Sequence, residues 1–434
     1  MTNDDQDDSI SSILQEMATR VEREVIAPDP RFITQRTHRR QRRQRYQLVS
    51  VATALVVIAA AITTSVVLTG SSRRTPVAVA SYPVRFENTR LVVKDLLEIQ
   101  KNTATIAKSK ITSLRLAVTS ANNSSIAFGD GRVWVLDNTG GNAPAPCGKL
   151  VAVNAATVAV SGSVPISLCP QAVAYGAGSV WVLSSQINAT GYQLVQVDPS
   201  TLTVRSTTII DGGSGGITPQ GDTGVKYEDV SVDGNDVLVA IQGPTGNGEL
   251  FEVDATSGTI VSSVTVPSVD GPVTALGTNS AAVWLGTANG WVLSFDPQSG
   301  VLSSGHRLGA RIASLAASNS GVWVTANLPV SANANYPGLD VLRLDPVTGT
   351  ITKDTGIPMV FVSTDGTSVW VLSSAAPYTS AAGLVANIDP ATGAMNEQAE
   401  LPVENDNFPS ALGVYEGSAW VINDDGGKLT RVNP

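Results

Sequence analysis

Apolar residues recur along this chain in short continuous runs, separated by turn residues at a regular distance. In the clearest copy, Gly176-Ala-Gly-Ser-Val-Trp-Val-Leu183 is followed by a loop, by Leu194-Val-Gln-Val-Asp-Pro-Ser200 and by an alternating run that ends at Ile210. Successive copies lie about 40 to 57 residues apart, which is the spacing of four-stranded propeller blades. Strands that are buried on both faces read as continuous apolar runs, so the pattern predicts sheets packed between neighbouring sheets.

Two features mark each copy of the unit. The second strand carries a tryptophan in six copies, and Val237-Leu238-Val239 takes its place in the third copy; the tryptophans are Trp134, Trp181, Trp284, Trp323, Trp370 and Trp420. The third strand ends in Asp-Pro at Asp198, Asp296, Asp345 and Asp389, with degenerate versions at Asp254 and Asn154. Proline presets φ, aspartate bonds forward to the turn backbone and a following glycine supplies positive φ, so these positions predict tight hairpins.

The end of the chain indicates how the ring closes. The seventh unit stops at Arg431-Val-Asn-Pro434 and therefore lacks a fourth strand, while a spare strand-like run, Ile111 to Thr119, precedes the first unit. Pairing of that run with the last blade would remove exposed sheet edges. We therefore predict an all-β fold over residues 111–434, a seven-bladed β-propeller of four-stranded blades whose N-terminal strand completes the last blade. Six or eight blades stay open, because a blade count read from sequence slips easily.

A membrane span is predicted before the propeller. The segment from Leu48 to Gly70 has 23 residues without a charge, enough to cross about 30 Å of hydrocarbon as a helix. Only Arg73 and Arg74 follow closely, whereas six arginines precede it: Arg36, Arg39, Arg40, Arg42, Arg43 and Arg45. This bias places the N-terminus in the cytoplasm and the propeller outside. A cleaved signal peptide with a site at Ala78-Val79-Ala80 is the alternative, although the leading region is long for one.

Two further regions flank the predicted span, one on each side. Residues 1–47 form a cytoplasmic segment with an Arg-rich cluster and a short amphipathic helix, predicted from Ile10, Ile13, Leu14, Met17, Val21 and Val25. The apolar stripe of that helix is open to three uses: binding a cytoplasmic protein, self-association, or contact with the inner leaflet. Residues 71–110 are assigned to an extracytoplasmic stalk.

Charge and cysteine usage narrow the classes of partner. Residues 75–434 hold 17 Lys and Arg against 29 Asp and Glu, a net charge of −12, which argues against nucleic acid as a partner.

The chain has two cysteines, Cys147 and Cys169, both in the region predicted to be outside the cell. An even number of cysteines in an oxidising compartment predicts a disulfide between them.

The unequal loops predict a binding face. Turns between the first and second strands, and between the third and fourth, lie on one face and are short; we call it the regular face. The second-to-third loops (Asp137 to Gly148 is the first) and the crossings between blades lie on the other, the variable face, and are long and varied. Drift in solvent-exposed loops is the alternative reading. The candidate binding residues are Asp211, Asp222, Lys226, Tyr336, Tyr378, Glu404, Asp406, Asp424 and Asp425.

No catalytic constellation is visible in the sequence. Outside the N-terminal segment the chain has a single histidine, His306, which we place on an outer strand, so triads and most zinc sites have too few parts. The Gly-rich run Asp211 to Gly216 lacks the lysine of a phosphate loop. No cofactor is predicted. Catalysis by a pair of carboxylates stays an open alternative. A divalent cation would use one of two compact acidic clusters, Asp424-Asp425 or Glu404 with Asp406.

The unit Gly-x-Gly-Ser-Val-Trp-Val followed by Val-Asp-Pro-x-Thr-Gly resembles the repeats of the YVTN and virginiamycin B lyase-like propellers, over roughly residues 111–434. That resemblance implies the fold and a broad range of functions, including lyases, quinoprotein-like enzymes, sensors and binding modules. Streptogramin lyases of the group depend on histidines and a glutamate around magnesium, and His306 alone does not match that set.

Three hypotheses follow. The first is a single-pass membrane protein whose propeller binds a protein or small ligand outside the cell without catalysis. The second is a membrane-tethered propeller enzyme of lyase or hydrolase type that uses carboxylates or a divalent metal. The third is a transmembrane regulator that signals through the cytoplasmic helix.

Overall fold

The structure is a computed structural model. It describes residues 103–116, 126–138, 148–185, 191–211, 228–243, 246–280, 282–303, 305–308, 311–328, 338–355, 357, 359–373, 383–401, 409–423 and 427–434. All of these belong to the second of two compact units, Arg85–Pro434.

The described strands form seven sheets, which are the seven blades of a β-propeller. Before blade 1 come β1 (Ala104–Thr105), a 3₁₀ turn (Lys108–Lys110) and β2 (Ile111–Arg115). Blade 1 consists of β3 (Ile126–Gly129), β4 (Arg132–Asn138), β5 (Gly148–Asn154) and β6 (Ala159–Ile166), and blade 2 of β7 (Cys169–Gly176), β8 (Ser179–Ser185), β9 (Tyr192–Asp198) and β10 (Thr203–Ile210). Blade 3 consists of β11 (Asp229–Asp233), β12 (Asp236–Gln242), β13 (Gly248–Asp254) and β14 (Ile260–Val266). Blade 4 consists of β15 (Val273–Thr278), β16 (Val283–Thr287), β17 (Trp291–Asp296), β18 (Val301–Leu302) and β19 (His306–Arg307).

Blades 5 to 7 continue the same order. Blade 5 consists of β20 (Arg311–Ser318), β21 (Gly321–Leu328), β22 (Gly338–Leu344) and β23 (Ile351–Asp354). Blade 6 contains β24 (Phe361–Thr364), β25 (Val369–Leu372), β26 (Leu384–Ile388) and β27 (Met395–Glu400). Blade 7 contains β28 (Pro409–Tyr415), β29 (Ser418–Asn423) and β30 (Lys428–Val432). Consecutive strands within each blade are antiparallel, and the outer strand of blade 4 is broken into β18 and β19, which both pair with β17. The predicted count of seven blades is confirmed.

The continuous apolar runs are explained by burial on two sides. All seven residues of β8 are buried. Its Trp181 and Leu183 pack into the core shared with blade 3, while Val180 and Val182 pack into the core shared with blade 1. Seven such cores are present, each built from two adjacent blades, so apolar packing runs around the whole ring.

The predicted closure of the ring is also confirmed. β2 pairs antiparallel with β30 in the register Ile111↔Val432 to Arg115↔Lys428, and it is the outer strand of blade 7. Lys110 lies next to the C-terminus, where its Nζ donates to the Pro434 carbonyl at 2.6 Å. The two ends of the described propeller chain are therefore held together in one blade.

Residues 104–107, which the sequence assigned to the stalk, join blade 6. Ala104 and Thr105 of β1 pair in parallel with Glu397 and Gln398 of β27, as a fifth strand. The next residue, Ile106, is 5% exposed and packs into the core between blades 6 and 7. The chain is thus attached to two blades before blade 1 begins.

The structure leaves the predicted membrane span untested. None of the helical segments within the described residues has the length and apolar character of a span. The segment 48–70, the amphipathic helix of residues 1–47 and most of the stalk lie outside the described residues.

Candidate functional site

The aspartates of the Asp-Pro turns are held by the turns themselves. Oδ1 of Asp345 accepts hydrogen bonds from the amides of Thr348 (2.7 Å) and Val347 (3.0 Å), and these two bonds lower the pKa of Asp345. Gly349 closes the turn with a φ of 69°. The same amide pattern recurs at Asp389. Turn geometry therefore accounts for these carboxylates, as the sequence indicated.

Two arginines join their blade to the third-to-fourth turn of the next blade. A guanidinium nitrogen of Arg132 in blade 1 donates to the carbonyl of Pro199 in the third-to-fourth turn of blade 2. Arg431 in blade 7 makes the equivalent bond to the Ala155 carbonyl of blade 1, at 3.1 Å. These arginines also lie over the tryptophan rings of their own blades, within 6 Å of the ring centroid. They connect blades on the regular face.

His306 serves the same purpose. It lies in β19, on the outer edge of blade 4 as predicted, and it is exposed. Its Nε2 is 3.0 Å from the Thr348 carbonyl in the third-to-fourth turn of blade 5, so the ring N–H donates there. The histidine that catalysis would need is thus used as an inter-blade contact.

Polar side chains on inner strands also join adjacent blades. Oδ2 of Asp229 accepts the amide of Leu276 at 2.8 Å, which links blade 3 to blade 4. Oγ1 of Thr274 donates to the Ile312 carbonyl at 2.7 Å, which links blade 4 to blade 5. These side chains satisfy backbone groups that the inner sheet edges would otherwise leave unpaired.

Two of the predicted site residues fall within the described residues. Asp211 is exposed and directly follows β10, so it lies at the variable face of blade 2 as predicted. Cys169 is the first residue of β7, is 2% exposed and is not a free thiol. The proposed disulfide partner, Cys147, lies outside the described residues, and the disulfide stays a prediction. The same applies to the other candidates: Asp222, Lys226, Tyr336, Tyr378, Glu404, Asp406, Asp424 and Asp425.

Tyr192 joins the two ends of the longest crossing. It pairs with Ile210, at the end of β10, and its hydroxyl donates to Oε1 of Glu228 at 3.0 Å, just before β11. Burial, followed by the neighbouring Glu228 carboxylate, raises the pKa of Tyr192 above its ordinary value, so the phenol stays protonated. Ile210, which directly precedes Asp211, and Glu228 are therefore both held by the same tyrosine.

A buried ion pair lies beneath the variable face of blade 1. Asp137, which the sequence placed at the start of a loop, belongs to β4 and pairs directly with Lys149 of β5. Its side chain is 1% exposed, and its Oδ2 lies 3.1 Å from Nζ of Lys149, whose side chain is 40% exposed. At that distance the Lys149 ammonium donates a charge-assisted hydrogen bond to Oδ2, and the described residues supply no further partner for the Asp137 oxygens. Val135, two residues earlier, packs between blades 1 and 7, so Asp137 faces that junction too.

The described residues contain no group of three or more His, Cys, Asp or Glu side chains arranged to hold a metal ion. The acidic clusters that the sequence proposed for a divalent cation, Asp424-Asp425 and Glu404 with Asp406, lie outside those residues. Their use by a cation stays a prediction.

Comparison with known proteins shows the fold. No family model matches the chain. No curated protein sequence matches it either. Among solved structures, the Pan2 WD40 domain of Neurospora crassa has a TM-score of 0.53 at 12% identity, over 75% of this chain and 96% of that one. The Cps50 (Swd1) β-propeller domain of Myceliophteria thermophila has a TM-score of 0.52 at 10% identity, over 73% and 97%. At these identities the likeness is one of architecture: this chain is similar to WD40 domains as a seven-bladed β-propeller.

Proposed function

We propose that this chain is a single-pass membrane protein that presents a non-enzymatic propeller outside the cytoplasm, and that the variable face binds its partner. The observation that carries the proposal is the difference between the two faces. On the regular face, turn aspartates, arginines and His306 are used to hold the ring together. On the variable face, the connections are long and extend from a ring whose apolar cores are continuous around all seven blades.

The composition of the variable face supports recognition through hydrogen bonds and rings. Five segments of this face, 117–125, 139–147, 186–190, 329–337 and 374–382, contain no charged residue, whereas 211–227, 402–408 and 424–426 hold the charged candidates. The five uncharged segments are built mainly from Ala, Asn, Ser, Thr, Gly and Pro, and Tyr336 and Tyr378 lie in two of them. Small polar residues with occasional tyrosines are typical of adaptable protein-binding loops. The likeness to WD40 domains fits a protein-binding module.

Matched variants on the two faces test this assignment. A partner is first identified by co-purification with the full-length chain and then purified, so that affinity is measured between defined components. Asp211→Lys, on the variable face, is expected to weaken binding at least tenfold. Val347→Lys is the control, because Val347 is 78% exposed in a regular-face turn. Loss of affinity with Val347→Lys but not with Asp211→Lys would refute the proposed face.

The membrane assignment rests on the sequence of residues 48–70 and is tested separately. The full-length chain is expected to stay with the membrane after alkaline carbonate extraction. A protease added to intact cells or spheroplasts is expected to cleave the propeller side and to spare the first 47 residues. Release of a chain without its N-terminal region would support the cleaved signal peptide instead.

One observation favours an enzyme as the second candidate. The carboxylate of Asp137 is buried, and its Oδ2 lies 3.1 Å from the Lys149 ammonium, an arrangement that functional sites and structural ion pairs share. A divalent ion bound in a 1:1 ratio to the purified full-length chain, and lost in Asp137→Asn, would support the enzyme. Metal-free protein with unchanged partner affinity supports the binding module.

A further inference from the structure

The regular face carries carboxylates from all seven blades. Every blade contributes at least one carboxylate to the described turns of this face: Asp130, Asp198, Asp233, Asp236, Asp254, Asp296, Asp345, Asp365, Asp389 and Glu416. Arginines on this face are fewer than its carboxylates: Arg132 and Arg205 pair with Asp130 and Asp198, while Arg343 and Arg431 donate to turn carbonyls. The face therefore keeps a negative balance, which favours a cationic partner.

Aromatic rings come together at one sector of this face, near the inner strands of blades 7, 1 and 2. The rings of Phe128 and Tyr415 are stacked, with centroids 5.5 Å apart and planes inclined by 5°. The ring of Tyr175 from blade 2 packs on Gly129 of blade 1, where any side chain would collide with it. All three aromatic residues are partly exposed. Tyr175 thus lies beside the stacked pair, across Gly129, and the three aromatic side chains come from three blades.

Two exposed carboxylates border this group. Glu416 follows Tyr415, and the Tyr415 hydroxyl donates to it while accepting the amide of Gly131. Asp130 lies close enough to Tyr175 to raise the pKa of that phenol, after burial as the larger cause. Asp130 is also 3.5 Å from the guanidinium of Arg132, which neutralises part of its charge. Neither carboxylate belongs to an Asp-Pro turn.

We propose that Tyr175, Phe128 and Tyr415, bordered by Asp130 and Glu416, form a second recognition surface that takes a basic segment of a partner protein. Arginine and lysine side chains bind over aromatic faces and pair with carboxylates, so this group offers both interactions to one cation. The surface lies on the face opposite Asp211 and is independent of the variable-face site. The negative field of the other blades steers a basic segment toward it.

The probe is a fluorescein-labelled tetra-arginine peptide, with tetra-glutamate as the opposite charge, titrated into the full-length chain at 50 mM salt. The test variant is Asp130→Asn with Glu416→Asn. Both positions have positive φ (57° and 48°), which asparagine tolerates, so charge is removed without loss of the turn. The control variant, Asp211→Asn with Asp270→Asn, removes the same charge near the variable face.

The test variant is expected to weaken tetra-arginine binding about fivefold, from two exposed ion pairs. Tyr175→Leu, which keeps both carboxylates, is expected to weaken it about threefold through loss of the ring face. The control variant is expected to stay within twofold of the parent. Equal losses in the test and control variants would overturn the proposal, because binding would then follow net charge alone. No measurable tetra-arginine binding by the parent chain, or equal binding of tetra-glutamate, would overturn it as well.

Discussion

Lys149→Met is expected to cost the propeller much of its stability, because it leaves a buried carboxylate without its cation. The Asp137 side chain is 1% exposed, and its Oδ2 lies 3.1 Å from the Lys149 ammonium, its one partner among the described residues. At that distance the attraction is about 5 kcal/mol for an effective dielectric constant of about 20. Breaking a buried pair by removing one partner costs about 3 to 5 kcal/mol.

Solvent limits the loss. The Lys149 side chain is 40% exposed, so water already screens part of the attraction in the parent chain. We therefore expect Lys149→Met to lower the free energy of unfolding at pH 7 by about 3 kcal/mol.

The measurement is urea unfolding of the full-length chain, followed by tryptophan fluorescence. All seven tryptophans lie between residues 134 and 420, so the signal reports the propeller. Arg205→Met is the matched control, since Asp198 keeps the hydrogen bonds from Ser200 and Thr201 when Arg205 is lost. Its unfolding midpoint is expected to change little.

The double variant Asp137→Leu, Lys149→Met removes the charge as well as its partner. It is expected to recover most of the stability, since apolar replacements of buried pairs are often neutral or stabilising. A loss below about 1 kcal/mol in Lys149→Met, or no recovery in the double variant, would refute the dependence of Asp137 on Lys149.

Three further changes probe other parts of the ring. Burial and the neighbouring Asp354 raise the pKa of Asp340 to about 6, so its contribution to stability is present below pH 3.8 and is lost as the pH rises through 6. Asp340→Asn is therefore expected to stabilise the chain at pH 7.5 by about 1 kcal/mol, after allowance for solvent, and not at pH 3.5; an equal effect at both would contradict this. Gly176→Ala is expected to cost about 1 to 3 kcal/mol, because its Cβ would lie 2.5 Å from Val232 of blade 3, and Val232→Ala should relieve part of the loss. Thiol alkylation is expected to label neither Cys147 nor Cys169 until reduction, which should cost about 3 kcal/mol; labelling of both before reduction would exclude the disulfide.

The blade pattern was predictable because packing on two sides leaves a strong trace in sequence. A strand such as β8 is buried along its whole length and is continuously apolar from Val180 to Leu183, and a run of this kind recurs in each blade, with a tryptophan in six of them. The closing strand was predictable by a count of strands, since blade 7 ends one short and Ile111 to Arg115 supplies the missing one. Both inferences depend on the repeat rather than on any single residue.

The added strand of blade 6 left no such trace. β1 has two residues, too few to show an alternation, and it pairs in parallel with a strand almost 300 positions away. Ile106 is a single apolar residue in a polar stretch, so its burial is decided by tertiary contact. Short pairings of this kind become visible only when the partner strand is in place.

The glycines of the unit show the limit of reasoning from turn chemistry. Gly178 has a φ of 69° and serves the hairpin, as expected of its position in the turn. Gly176, two residues earlier, has no positive φ; it is small because Val232 of the next blade approaches its backbone. Asp137 is a similar case. The sequence places it at the start of a solvated loop, and only the structure shows that its side chain is buried.

Closure of the ring by the chain's N-terminal strand is the claim on which both faces depend, and a cysteine pair across the seam tests it most directly. Ser113 and Thr430 are directly opposite in the β2–β30 register, with side-chain oxygens 3.1 Å apart. Full-length chain with Ser113→Cys and Thr430→Cys is expected to form a disulfide between these positions on mild oxidation, identified by peptide mass spectrometry. Ser113→Cys with Thr259→Cys, in blade 3, is expected to form none. No link at the seam, or equal linking in the blade 3 control, would contradict the closed seven-bladed ring.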